Sequence, residues 1–324
     1  MEVIRLHYPL NNNQLPNEPV VLAMGFFDGV HRGHQHVIRR AKREADHRHL
    51  SLAVLTYDHA PGIVYQEYSG GYRYLTLTNH KVALMKQLGV DRVYLMSFTS
   101  LFASLSPQAF VDDFLMKLHP KVVVAGFDHT YGQDPSIANM HNLPRFSQGR
   151  FDVLTVPKLS TKHGHKIGST AIRHLLNDGQ ISLANQQLGY YYTTSGLVVH
   201  GLARGRRLGF PTANIEWPNH QLIPAVGVYV VQLKIADGPW IGGMASVGYN
   251  ITFGKAPHQT LEINLFNFHQ MIYGESVQVR WIRKLRGEVK FDGAAELIAQ
   301  LKQDQVDSEK CLANLPVIHH QIIQ

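Results

Sequence analysis

Cysteine is nearly absent from this chain. Cys311 stands alone among 324 residues, so no intrachain disulfide can form and no cysteine pair has zinc-ligand spacing. It reads as a buried or idle thiol. Long apolar runs are missing too. The N-terminal MEVIRLHYPLNNNQLPNEP contains nothing long enough for a secretory h-region, and the ~20 consecutive apolar residues that span a bilayer occur nowhere. The expectation is a cytoplasmic protein that meets no membrane. Internal repeats and low-complexity tracts are also lacking. The net charge of +7 is scattered except in VIRRAKREADHRH and ARGRRLG, so there is no continuous basic stripe and no nucleic-acid partner is expected. A small polyphosphate suits that charge. Most of the 20 histidines read as surface residues without a role.

What is present is enough apolar material, 44% of the chain, for two cores at the usual ~150 residues each. From residue 20 to about 185, β-rich runs (VVLAMGFF, SLAVLTY, RVYLMSF, KVVVAGF, FDVLTVP) alternate with helix-period segments (HQHVIRRAKREADH, LTNHKVALMKQLG, PQAFVDDFLMKLH, STAIRHLLNDG). That alternation predicts a doubly wound α/β domain over residues 1–185. After Gly189 the texture changes to short strands with Gly-, Pro- and Asn-rich turns, TTSGLVVHG, GVYVVQLKIADG, TLEINLFNF and ESVQVRWIRKL, which predicts a compact β-barrel within residues 186–324. In TLEINLF the two-residue period puts Leu261, Ile263 and Leu265 on one face and Glu262 and Asn264 on the other. The last stretch, GAAELIAQLKQDQVDSEKCLANL, spaces Leu297, Leu301 and Leu312 as a helix that would pack across the barrel.

Two constellations carry chemistry. GFFDGVHRGHQ, residues 25–35, lies where a first strand ends and a helix begins, the usual place for ligands in open α/β sheets. Gly25, Gly29 and Gly33 let backbone approach a phosphate chain, the helix N-terminus supplies amide donors, and His31 and His34 can face a triphosphate from one turn. Phe26 and Asp28, in the same turn, are counted with Gly25 and Gly33 as candidate ATP-binding residues. IGSTAIR, residues 167–173, opens another helix with Ser169 or Thr170 as N-cap and Arg173 one turn in. The second constellation is VHGLARGRRLGFPTAN, residues 199–214. Its glycines and arginines, Gly205 and Arg206 among them, could cover phosphates, while the Thr212 hydroxyl and the Asn214 carbonyl oxygen are hard ligands of the kind Mg²⁺ takes.

Together, GFFDGVHRGHQ and GSTAIR resemble the nucleotidyltransferase superfamily with an HxGH motif and a Ser/Thr-x-x-Arg segment. That resemblance implies ATP phosphates at His31, His34, Ser169, Thr170 and Arg173. AGFDHTYG looks like the family's G-x-D-F-x-F-G loop beside the nucleotide, retaining Gly126, Asp128 and Gly132. VHGLARGRRLGFPTAN closely resembles the riboflavin kinase signature. It is followed in order by PAVGVYVV, SVGYNITFG, LEINLFNF, IYGESVQV and KLRGEVKF, which look like that family's later segments. Over residues 20–310 the chain is similar to the prokaryotic family of fused riboflavin kinases and FAD synthetases. The resemblance implies a Rossmann-like nucleotidyltransferase domain before a six-stranded kinase barrel. It also implies ATP as co-substrate, FMN and FAD as substrate or product, Mg²⁺ on Thr212 and Asn214, and Glu262 as general base.

The departures from that pattern are not evenly placed. T-F-D-P-H-P is TYDHAP here, G-x-D-F-x-F-G is GFDHTYG, and the first serine of I-S-S-T-x-I-R is Gly168. In the second half N-I-G-x-x-P-T-F reads SVGYNITF, and Asn264 and Asn267 stand for a histidine and an aspartate. The alternatives left open are a copy with one of the two activities, or a non-catalytic binder of flavin or nucleotide. Whether copies associate into a homo-oligomer is also open.

Overall fold

A computed structural model describes residues 1–11, 15–201, 204–250 and 258–315. The chain divides into two compact units, Met1–Ser169 and Thr170–Gln324. Six parallel strands build the first: β1 (Glu2–Leu6), β2 (Val20–Met24), β3 (Ser51–Tyr57), β4 (Arg92–Met96), β5 (Pro120–Gly126) and β6 (Asp152–Val156), in the order β1-β4-β3-β2-β5-β6. All five residues of β2 are buried, as expected of a central parallel strand covered on both faces. The chain leaves β2 for β3 on one side and later returns to β5 on the other. The C-terminal end of β2 is therefore the topological switch point, where open α/β sheets bind ligands.

Helix α1 (Arg32–Arg48) follows β2 and buries Val37, Ile38, Ala41 and Ala45 at helical spacing, each fully buried branched side chain contributing about 1.5–3 kcal/mol. It ends where His49 turns left-handed (φ 55°) and its N–H reaches back to the carbonyls of Ala45 and Asp46. Helix α2 (Thr78–Gln87) stands between β3 and β4. PQAFVDDFLMKLH is helical as expected but changes winding, with a π-helical turn at Phe110–Phe114 and a 3₁₀ turn at Leu115–Leu118.

In the second unit, α3 (Ser169–Asn177) continues from the first unit into α4 (Ile181–Leu188) before the barrel. The barrel strands are β7 (Thr193–Val199), β8 (Ala213–Glu216), β9 (Gly227–Ile235), β10 (Trp240–Asn250), β11 (His258–Leu265) and β12 (Ser276–Arg286). They close in the antiparallel order β10-β11-β8-β7-β12-β9. Its centre holds Trp281, Tyr229 and Tyr192; the Trp281 indole N–H donates to Thr194 Oγ1 at 2.9 Å, and the Tyr192 hydroxyl donates to the Leu222 carbonyl at 2.7 Å. Buried Asn185 on α4 donates to the Trp281 carbonyl (2.9 Å) and accepts from Tyr192 N–H (2.7 Å), so this helix belongs physically to the barrel.

Helix α5 (Ala294–Ala313) packs across β10 and β9. Its fully buried positions are polar, Asp304 and Ser308, with Leu297, Leu301 and Leu312 half-buried around them. Asp304 accepts a two-pronged contact from Arg286 (3.1 and 2.7 Å) and a bond from Gln300 (2.9 Å), which satisfies a carboxylate taken out of water. Gly242 on β10 lies beneath this helix, and a Cβ there would stand 2.6 Å from Leu312 Cδ1, so the leucine would have to shift. Among the described residues no helix is long and apolar enough to cross a membrane.

Candidate active sites

The turn after β2 is built from backbone that ordinary residues avoid. Phe27 (φ 55°), Gly29 (φ 84°) and Val30 (φ 36°) are all left-handed, and for Phe and branched Val that geometry is strained and must be held by its surroundings. Asp28 is the holder. It is 2% exposed, and its carboxylate accepts from Leu75 N–H (3.1 Å) and Thr76 N–H (3.1 Å), while Gly29 N–H donates to Thr76 Oγ1 (2.9 Å). Gly25 lies under the Phe27 ring, which a Cβ would meet at 2.9 Å. Gly33 admits the Ile167 carbonyl and the His31 ring at 3.5 and 3.1 Å from where its Cβ would be.

His31 is the N-cap of α1, its Nδ1 accepting from His34 N–H at 3.3 Å, and the two imidazoles stack with centroids 3.6 Å apart. Burial holds His34 well below the usual histidine range, helped by the positive charges of His31, Lys81 and Lys166. His34 is thus neutral at pH 7, able to donate one N–H to a phosphate oxygen. The expectation that Ser169 or Thr170 caps the next helix is corrected. Ser169 is already the first helical residue, and its hydroxyl donates to the Asp28 carbonyl at 2.8 Å, joining the two motifs across 141 residues of sequence. Thr170 and Arg173 lie further along α3, in the second unit.

Along the loop after β5, Gly126 lies close over Asp128 Oδ1, 3.2 Å from the position of an added Cβ. Half-exposed Asp128 pairs with Lys166, whose ammonium also stands 5.1 Å from the Phe127 ring centre. His129 and Tyr131, where the family pattern has phenylalanine, keep Nε2 and the hydroxyl buried with no hydrogen-bond partner among the described residues. Burial pushes His129 down to about 4 and the Tyr131 phenol up. In TYDHAP, His59 is held inside its own loop, with Nδ1 2.6 Å from Asp58 and Nε2 2.7 Å from the Phe98 carbonyl.

In the barrel, Asn214 on β8 stands directly opposite Glu262 on β11, and the Thr212 hydroxyl donates to Glu262 Oε2 at 3.1 Å. Leu261, Ile263 and Leu265 face the core and Glu262 turns away, half-buried, in agreement with the alternation of TLEINLF. Asn264 departs from a simple polar face: it is buried and donates to the Pro211 carbonyl at 2.8 Å, which ties β11 to the segment that carries Thr212 into β8. Asn267 takes a left-handed turn (φ 54°), a conformation asparagine tolerates better than most residues. Gly201 makes room for Asn214, whose side chain a Cβ there would overlap at 2.1 Å.

The Gly/Arg-rich turn is a single helical turn, Arg204–Arg207, that folds back on itself. Phe210 N–H donates to the Gly205 carbonyl (2.9 Å), and Arg206 is exposed. Residues 202–203 of VHGLARGRRLGFPTAN and the end of SVGYNITFG, from 251, lie outside the described residues. Among the described residues no cluster of three or more His, Cys, Asp or Glu could hold a metal. A cation would instead meet the hydroxyl and amide oxygens of Thr212 and Asn214 beside the Glu262 carboxylate, a hard-oxygen set suited to Mg²⁺.

Sequence reasoning missed Lys81. It is 2% exposed, yet donates to the carbonyls of Tyr57 (2.7 Å) and Phe26 (3.2 Å) and to Thr56 Oγ1 (3.2 Å). The signal was present: Lys81 shares the buried stripe of α2 with Leu84 and Met85, where a lysine is out of place.

The family models and the curated relatives agree on both halves of the chain. Family models described as FAD synthetase and riboflavin kinase match residues 13–171 and 188–312. A protein of Listeria monocytogenes named bifunctional riboflavin kinase/FMN adenylyltransferase is 45% identical over 97% of this chain and 99% of its own length. One of the same name from Bacillus subtilis is 37% identical over 97% and 99%. A solved structure from Streptococcus pneumoniae, described as a macrolide-efflux protein, is 34% identical and superposes with a TM-score of 0.87 over 98% of this chain and all of its own.

Proposed function

Because the chain belongs to the family of bifunctional riboflavin kinase/FMN adenylyltransferases, we propose that its barrel phosphorylates riboflavin to FMN with ATP and its α/β unit adenylates FMN to FAD with a second ATP. The observation that carries the kinase assignment is the convergence of Asn214 on β8, Glu262 on the neighbouring β11 and Thr212 just before β8. Glu262 takes the proton of the terminal ribityl hydroxyl as that oxygen attacks the γ-phosphorus and ADP leaves. Thr212 orients Glu262 through its O–H, which leaves the Thr212 oxygen lone pairs and the Asn214 carbonyl oxygen for Mg²⁺. The bound cation supplies charge neutralisation at the phosphate oxygens.

In the first unit, the FMN phosphate attacks the α-phosphorus of ATP and pyrophosphate departs. The His31–His34 pair and the amides opening α1 are the groups we assign to the phosphates, where donors already in place stabilise charge as it builds; the resemblance of GSTAIR adds Arg173 to that assignment. Ser169 and Asp28 hold that turn in shape. We assign residues 1–185 to the adenylyltransferase, residues 186–324 to the kinase, and the cytoplasm as location. Incubating the purified protein with riboflavin, ATP and Mg²⁺ and separating the flavins tests the reading. FAD is expected; FMN alone would leave only the kinase, unchanged riboflavin would refute the kinase, and no FAD from added FMN would refute the adenylyltransferase.

A further inference from the structure

Burying an ammonium is costly, and cores that do so normally provide a carboxylate in contact. Lys81 has none in contact. Its three N–H donors are matched by three uncharged oxygens, those of Phe26, Thr56 and Tyr57, and its Nζ stands 4.7 Å from the Phe26 ring centre. Two of these oxygens are main-chain carbonyls at the points where β2 and β3 leave the sheet, and Thr56 Oγ1 also donates to the Phe26 carbonyl at 2.8 Å. From those two points emerge the Gly25–His34 turn and the Asp58–Pro61 loop. The carboxylates nearest in charge, Asp28 and Asp58, are occupied elsewhere, Asp28 by Leu75 and Thr76 and Asp58 by Ser97 and His59.

We propose that Lys81 is a positioning residue of the adenylyltransferase, clamping the exits of β2 and β3 together and holding a positive charge beneath the turn that receives the triphosphate. This inference rests on the first unit being an adenylyltransferase. A merely structural plug could be apolar; an ammonium here is matched to an anionic ligand arriving above it. Burial lowers the lysine to about 8 against the raising influence of Asp28 and Asp58, and its charge is felt at His34, which His31 and Lys166 also face. The clamp therefore loses its charge, and one of its three donors, in mildly alkaline solution.

The test is the pH profile of kcat/KM for ATP in FAD formation from FMN, from about pH 6.5 to about pH 9.5, because this ratio reports groups of the free enzyme. The full-length wild type should show activity falling through about pH 8. In Lys81→Met that limb should vanish and kcat/KM should drop about tenfold or more, mainly through KM, while riboflavin phosphorylation by the same preparation stays normal. A wild-type profile flat to the alkaline end, an unchanged limb in Lys81→Met, or equal loss of both activities overturns the inference. If Lys81→Met lacks the thermal transition of the first unit, the wild-type profile alone decides. Wild type that makes FMN but no FAD at any pH instead removes the adenylyltransferase reading, and the inference with it.

Discussion

Single side chains divide between those that meet substrate and those that hold others in place, and the two kinds should fail differently. Glu262→Gln keeps the size and the bond from Thr212 but removes the base. Riboflavin phosphorylation should fall about 100-fold or more, with FAD formation from added FMN unchanged, as steady-state assays of both reactions will show. Ser169→Ala removes only the tie to the Asp28 carbonyl, on the order of 1 kcal/mol, so kcat/KM for FMN adenylation should fall about fivefold. A far larger loss would assign the hydroxyl to the phosphates themselves. The residues we assign to chemistry could be proposed from sequence because their glycines, histidines and carboxylate had positions that strand and helix periods define. Asp28 and Lys81 were harder to read, since their partners lie at residues 75–76 and 56–57.

At the scale of elements, β2 to β5 announce themselves because parallel strands covered on both faces are nearly continuous apolar runs. Three strands were silent for physical reasons. β1 is a short, largely exposed edge, β8 has only four residues, and β10 carries glycines at 242, 243 and 248 that weaken the strand signal. Gly243 is required by the Asn264 carbonyl, 2.5 Å from where its Cβ would lie, whereas a Cβ at Gly242 would displace only the end of the Leu312 side chain. The boundary near residue 185 followed a change of texture, whereas the compact second unit begins at Thr170, with α3 and α4 included. Leu176 on α3 accepts from Ala225 N–H at 3.0 Å, and Asn185 on α4 holds Trp281 and Tyr192. A fragment starting at Thr170 should therefore fold and phosphorylate riboflavin. One starting at Gln186 should melt several degrees lower, on the order of the 4–8 °C per kcal/mol typical of small domains, in a thermal scan of both.

As a whole molecule the chain carries the His31–His34 turn and the Thr212, Asn214 and Glu262 group on separate units, each unit with its own core. If so, they need not work within one copy. His34→Ala should retain the kinase and Glu262→Gln the adenylyltransferase; mixed in equal amounts with riboflavin and ATP, the pair should produce FAD that neither produces efficiently alone. Failure of the mixture, with each variant active in its own half-reaction, would mean that FMN does not pass through solution. The fastening of the nucleotide turn has a further consequence, for recombination between relatives. Its strained backbone is contributed by residues 27–30, its anchor by Leu75 and Thr76, and its brace by Ser169. A chimera whose crossover falls between Asp28 and Thr76, or between Thr76 and Ser169, takes parts of one turn from two parents. Such hybrids inherit every letter of the phosphate-binding motif and still depend on whether the foreign segment arrives at the same height beneath it.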